Sequence, residues 1–168
     1  SQDALSIVDL ACAVALLAGV DDVERTPHTD EVADMIGSAE HLVFVLADGL
    51  GKGLVERLPS DSFIPRHVRT DLTTVFPSST ATALTTLATG KWPGRHAVTG
   101  WWTHVKEISA AAVILQYVRR SDGRALSELG VSPDAAFPAP PWAARVPRST
   151  LFLLPEFVAG SVYSAYIS

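Results

Sequence analysis

The feature that most constrains the fold is "HLVFVLADGLGKG", residues 41–53. Leu42 to Leu46 is an unbroken apolar run rich in β-branched and aromatic residues. Such a run predicts a strand covered on both faces, which belongs in a parallel sheet with helices on either side. Asp48-Gly49 ends it. In open α/β sheets ligands bind beyond the carboxyl ends of the strands, so Asp48 stands where a functional acid is well sited. Glycines at 49, 51 and 53 let backbone pass close to a ligand. The string is not G-x-x-x-x-G-K-[ST], and no P-loop is expected.

The remaining elements are read around that strand. Residues 3–18 lack Pro and Gly and are rich in Ala and Leu, which favours a helix stopping at Gly19 and packing on the sheet. Residues 21–40 read as a loop leading into a short helix. "VRTDLTTVF" (68–76) is a candidate second strand, broken by Pro77. Ser78 and Ser79 are good caps for a helix from about Thr80 to Ala88, which Gly90 closes and Pro93 keeps from restarting. Residues 91–107 read as loop, and "ISAAAVILQYV" as strand or helix. Residues 132–148 hold five prolines in "SPDAAFPAPPWAARVP" and predict an extended loop or surface arm. The last twenty residues read as apolar and β-prone.

Composition narrows the function. The chain has 168 residues, 48% hydrophobic and 18% charged, which describes a globular protein with a real core. A net charge of −5 gives no support to binding of a nucleic-acid polymer. The single cysteine, Cys12, excludes an intrachain disulfide and a Cys-rich metal site, and reads as a buried small hydrophobe. No apolar stretch has the length of about 20 residues that spans a bilayer. Asp3 and Asp9, with no Lys or Arg, precede "LACAVALLAGV", which argues against a signal peptide. A cytoplasmic location is the default expectation.

Residues 73–102 carry ten Ser and Thr. The first N–H groups of a helix starting near Thr80 have no intrahelical partner and carry the positive end of the macrodipole, an arrangement suited to anions. A hydroxyl there is placed to act as a nucleophile if a divalent metal is near, and Asp48 is a hard carboxylate of the kind such a metal takes. The ordinary alternatives are that these hydroxyls cap a helix and that Asp48 forms a turn.

"LVFVLADGLG" followed by "TVFPSSTATALTTLATGKWPGRHAVTGWW" resembles the alkaline phosphatase superfamily, and most of all its bacterial branch of type I phosphodiesterase/nucleotide pyrophosphatase proteins. The resemblance is strongest over residues 42–102. It implies an alkaline-phosphatase-like α/β fold, with a mostly parallel sheet sandwiched by helices, of which residues 1–168 are the N-terminal portion. It implies hydrolysis of phosphate mono- or diesters, a small-molecule phosphate ester as substrate, and two divalent metal ions, usually zinc. Thr80, nine residues before the Thr of Thr89-Gly90, matches the nucleophile that forms a phospho-enzyme and also contacts metal. Asp48 matches a metal ligand. Ser79, Ala81 and Trp101 fall at substrate-binding positions.

The chain departs from the family pattern in three places. Where nucleotide pyrophosphatases carry a phosphate-contacting Asn, this chain has Trp101. The usual His-Gly is His96-Ala97, and His96 reads as structural rather than as a ligand. The family draws its other metal ligands from Asp and His residues far downstream, yet no Asp follows Asp134 and no His follows His104. The alternative to an enzyme is an inactive α/β binding or interaction module that keeps an anion site at the Thr80 helix. The four Trp residues could wall an aromatic pocket, but they read better as core.

Overall fold

The computed structural model describes residues 4–168. Helices α1 (Ile7–Leu17) and α2 (Thr29–Ile36) open the chain. They are followed by two short helices, α3 (Lys52–Val55) and α4 (Phe63–His67), and by α5 (Thr80–Thr89) and α6 (Pro93–His96). Strands β1 (Trp102–Val105), β2 (Ala110–Val113) and β3 (Val118–Arg119) come next, then α7 (Pro133–Ala136), α8 (Glu156–Ala159) and α9 (Val162–Ile167). The three strands form one antiparallel sheet in the order β1-β2-β3, with Trp102 opposite Val113 and Ala112 opposite Arg119.

Helix α1 ends where its composition predicts but starts at Ile7, after Leu5 and Ser6 that composition placed within it, because Ser6 caps its start twice. Ser6 Oγ accepts from the Asp9 N–H at 3.3 Å, and Asp9 accepts from the Ser6 N–H at 2.6 Å. Asp9 is buried, which pushes its carboxyl up. The hydrogen bonds from Ser6 and Thr26 outweigh that effect and hold it below its ordinary value. The helix packs on α2 and α5, not on a sheet. Cys12 is buried as expected, and burial pushes its thiol up to about 11.

The expected parallel sheet does not form among the described residues. Residues 42–46 form no strand and belong to no ladder, and Val43 and Val45 are 81% and 79% exposed. Parallel pairing is confined there to one bridge, in which Ile7 N–H donates to Thr73 O and Thr73 N–H donates to Leu5 O. The candidate strand 68–76 shrinks to that bridge. A parallel strand is stabilised by neighbours that cover both its faces. Residues 38–71 contribute no buried side chain, and Leu42–Leu46 is covered fully on neither face.

The Pro-rich segment is not a surface arm. Phe137, Ala139 and Ala143 are buried, and the Trp142 side chain donates to Leu87 O at 2.7 Å. The segment therefore wraps the end of α5 and caps its last carbonyls. The C-terminal residues are helical, not β. Ser161 Oγ accepts from the Ser164 N–H at 3.0 Å to start α9, and Tyr166 stacks on Phe137 with ring centroids 4.4 Å apart. The main core joins Ala81, Val98, Ile114, Tyr117, Leu126 and Phe137, with smaller clusters under α1. Trp92, Trp101 and Trp102 are exposed, contrary to the core reading. Arg120 covers the Trp102 ring, its guanidinium carbon 3.8 Å from the ring centroid.

Gly90 ends α5 in the left-handed region, at φ 64°. A Cβ there would meet Cys12 Sγ at 3.1 Å. Gly90→Ala is expected to destabilise the fold by about 1–2 kcal/mol, the cost of a left-handed conformation for an L-residue. Gly94→Ala, with nothing within 4 Å of the new methyl, should stay within about 0.5 kcal/mol. Denaturant midpoints of the two variants check this.

Candidate functional site

Helix α5 supplies one half of the site. Ser79 is its N-cap, with extended backbone (φ −80°, ψ 151°), and its side chain accepts from the Thr82 N–H at 3.4 Å. Four threonines of the helix are buried, Thr82, Thr85, Thr86 and Thr89, and each hydroxyl is satisfied. Thr85 and Thr89 donate to the carbonyls four residues earlier, both at 2.7 Å. Thr85 also bonds Tyr163 Oη at 2.8 Å, and Thr82 bonds Ser79 Oγ at 2.9 Å. Thr80, at the first helical position, points away from this network.

Asp48 supplies the other half. It follows the apolar run in a turn closed by Leu50 N–H donating to Ala47 O, with Gly49 at φ 78°. Thr80 Oγ1 donates to Asp48 Oδ2 at 3.3 Å, across 32 residues of chain. The structure thus brings together the two residues singled out for chemistry. The pair is open to solvent on the Asp48 side.

The other candidates divide. Ser79 is committed to capping. Ala81 is wholly buried and offers a ligand no side chain. Trp101 is half exposed, and no hydrogen bond among the described residues joins it to Asp48 or Thr80. No group of three or more His, Cys, Asp or Glu that could hold a metal ion occurs among the described residues. His96 is buried and fully engaged. Val98 N–H donates to its Nδ1 at 3.1 Å, so the neutral ring carries its proton on Nε2, 3.0 Å from Thr86 Oγ1. Burial pushes the imidazole down to about 4. Tyr163, which buttresses α5 from 78 residues away, had no signal in any local spacing.

A cleft of about 160 Å³ lies at the opposite end of α5, lined by Cys12, Glu24, Gly90, Lys91, Trp142 and Arg145 among others. The helix rises about 1.5 Å per residue, so the cleft is roughly 13 Å from Thr80. Its charges are paired internally, Arg145 with Asp22 and Lys91 with Glu24.

Three outcomes follow from this geometry. Ser79→Ala is expected to cost about 1 kcal/mol of stability, since it removes a cap. Thr80→Ala leaves the cap in place and should shift stability by less than about 0.5 kcal/mol, as urea unfolding would show. For His96 the folded imidazole refuses a proton that the unfolded one accepts below about 6.5. Stability should therefore fall as pH drops from 6.5 towards 4, by up to roughly 3 kcal/mol. In a pH series of unfolding curves, His96→Gln should remove that part of the slope.

Residues 42–114 match the family model described as Type I phosphodiesterase / nucleotide pyrophosphatase. The match takes in Asp48, Ser79, Thr80, Ala81 and Trp101 and ends just beyond β2. No curated protein and no solved structure matches the chain.

Proposed function

On the premise of that family match, we propose that the chain carries the nucleophile half of a phosphoester hydrolase, with Thr80 as nucleophile. The observation that carries the reading is the hydrogen bond from Thr80 to Asp48. It sits at the start of a rigidly buried helix, inside the segment that the family model covers. The substrate class is a small-molecule phosphate mono- or diester. Among the described residues no helix is long and apolar enough to cross a membrane.

The chemistry available to the chain's own groups is limited and specific. The Thr80 oxygen attacks phosphorus, the bond from phosphorus to the leaving oxygen breaks, and a phospho-threonine results. Asp48 accepts the Thr80 proton through the existing hydrogen bond, which turns a lone pair of the hydroxyl outward. The start of α5 places the positive end of its dipole beside the phosphoryl group. The leaving oxygen departs as its anion; water then attacks phosphorus, the bond from phosphorus to the Thr80 oxygen breaks, Asp48 returns its proton to that oxygen, and the water's two protons leave on the released dihydrogen phosphate.

The resemblance further implies two divalent ions, usually zinc. The described residues do not make such a centre. One carboxylate and one hydroxyl fall short of the three protein ligands of an ordinary catalytic zinc site. No step is routed through a metal for that reason. The same single carboxylate favours a second reading, in which the chain is an inactive module that binds anions weakly at the α5 terminus.

Incubation of the chain with an aryl phosphate, with and without added zinc, separates these readings. The expected result is a chain heavier by one phosphoryl group, with the label mapped to Thr80 by peptide mass spectrometry. Thr80→Ala should lose the label, Thr80→Ser should keep it, and Asp48→Asn should slow its appearance by about a hundredfold, the scale of a positioned acid–base group. Phosphate binding without any covalent label supports the inactive module. A full label in Thr80→Ala overturns the nucleophile assignment.

A further inference from the structure

We propose that Asp9, Thr26 and Thr29 form a polarised hydroxyl relay through which the ionised Asp9 carboxylate holds the start of α2 as well as that of α1. Protonation of Asp9 reverses the relay and releases α2 ahead of the rest of the fold. Asp9 closes the cap of α1 through Oδ2, which accepts from the Ser6 N–H and the Ser6 hydroxyl, both at 2.6 Å. Its other oxygen, Oδ1, accepts from the Thr26 hydroxyl at 2.5 Å, across 17 residues of chain. Thr26 Oγ1 in turn lies 2.8 Å from Thr29 Oγ1, and Thr29 is the first residue of α2.

Proton counting fixes the direction of the relay. A threonine hydroxyl carries one proton. That of Thr26 goes to Asp9, so between the two threonines Thr29 donates and Thr26 accepts. Thr29 Oγ1 itself accepts from the Thr26 N–H at 2.8 Å. When Asp9 is protonated, Oδ2 stays with its two Ser6 donors, and the added proton sits on Oδ1 and donates to Thr26 Oγ1. Thr26 then turns its own proton to Thr29 Oγ1, which already receives the Thr26 N–H. The Thr29 proton is left without an acceptor among the described residues, on a side chain that is wholly buried. A buried donor in that position costs its full desolvation.

The surroundings favour the charged state of Asp9. His28, beside Thr29, adds to the hydrogen bonds of Ser6 and Thr26 through its charge. Glu31 is engaged with His28, Arg25 is paired with Asp30, and on the Thr73 side Asp71 is paired with Lys52. Cys12, one turn along α1, stays a neutral thiol. The folded carboxyl releases its proton more readily than the unfolded one. The relay therefore contributes fully above the ordinary carboxylate range and is lost as pH falls below it. The acid response of His96 lies at higher pH and at α5, so the two are separable. While α2 is held, its Val32 and Ala33 cover Ala13 of α1, with Leu10 and Leu17 packed against them.

Hydrogen exchange of the whole chain at neutral pH, read by mass spectrometry, tests the relay. In Asp9→Asn the side-chain oxygen stays with the Ser6 donors and the amide donates to Thr26, which imposes the reversed polarity without acid. Protection of α2 should fall roughly tenfold, the scale of one buried polar group left unpaired, while that of α5 is kept. Thr26→Val should give the same selective loss, and Thr26→Ser should keep the protection. In Thr29→Ala no hydroxyl remains to be stranded, so adding Asp9→Asn should cost α2 much less than it does alone. Asp9 and Thr29 share no hydrogen bond among the described residues, so without a relay the two substitutions would act additively. In the unmodified chain, acidification below the ordinary carboxylate range should open α2 before α5. An equal effect of Asp9→Asn with and without the Thr29 hydroxyl, or a loss of protection spread evenly over α2 and α5, overturns the proposal. Neither readout depends on the phosphoryl label at Thr80.

Discussion

The structure depends on burying α5, and α5 can be buried because its threonines are satisfied. A helix with four hydroxyls in the core would ordinarily carry a desolvation cost for each unpaired group. Here two hydroxyls bond back to the carbonyl one turn earlier, one meets the Ser79 cap, and one meets the imidazole of His96. Tyr163 adds a tie from α9 to Thr85, and Trp142 reaches the carbonyls at the far end. Elements from both ends of the chain converge on this one helix.

The candidate site joins one end of that helix to a loosely held segment. Thr80 is positioned by a capped helix locked on several sides. Asp48 comes from a stretch, residues 38–71, without a single buried side chain. A single hydrogen bond bridges the two. Preorganised chemistry needs both partners held. Whatever covers the apolar run before Asp48 therefore also determines how well the carboxylate is held.

Several elements were legible because their signals are local. The Ser79 cap, Gly19 and Gly90 each act within one helical turn, so the end of α1 and both boundaries of α5 follow from neighbouring residues; the Ser6 cap is equally local, but it starts α1 later than the Ala- and Leu-rich composition suggests. The pairing of Asp48 with Thr80 was legible in another way, through a recognisable segment. Other elements depend on distant partners and were misread. Leu42–Leu46 has the composition of a doubly covered strand, but composition states what a segment can do when covered, not that a cover is present. The Pro-rich segment was read as solvent-facing because proline breaks helices. Its Phe137 and Trp142 instead found a core and a helix end to occupy. The C-terminal residues were read as β-prone, whereas Ser161 and the Tyr163/Tyr166 spacing made a helix that buries its aromatics.

The sequence by itself determined where α1 ends and where α5 begins and ends, that Cys12 is a buried small hydrophobe, and that a Ser-Ser-Thr run opens a helix. Those features rest on capping and backbone conformation, which operate over a few residues. The sequence singled out Thr80 among the hydroxyls of that run; only the tertiary structure gave each of the others its partner and Thr80 its acid. Ser79 is consumed by the cap, Thr82, Thr85, Thr86 and Thr89 are consumed by the core, and Thr80 alone among these turns to an acid 32 residues away. The physical reason is that a hydroxyl's availability depends on what surrounds it in space, and the partners of these hydroxyls lie as far off as 78 residues along the chain.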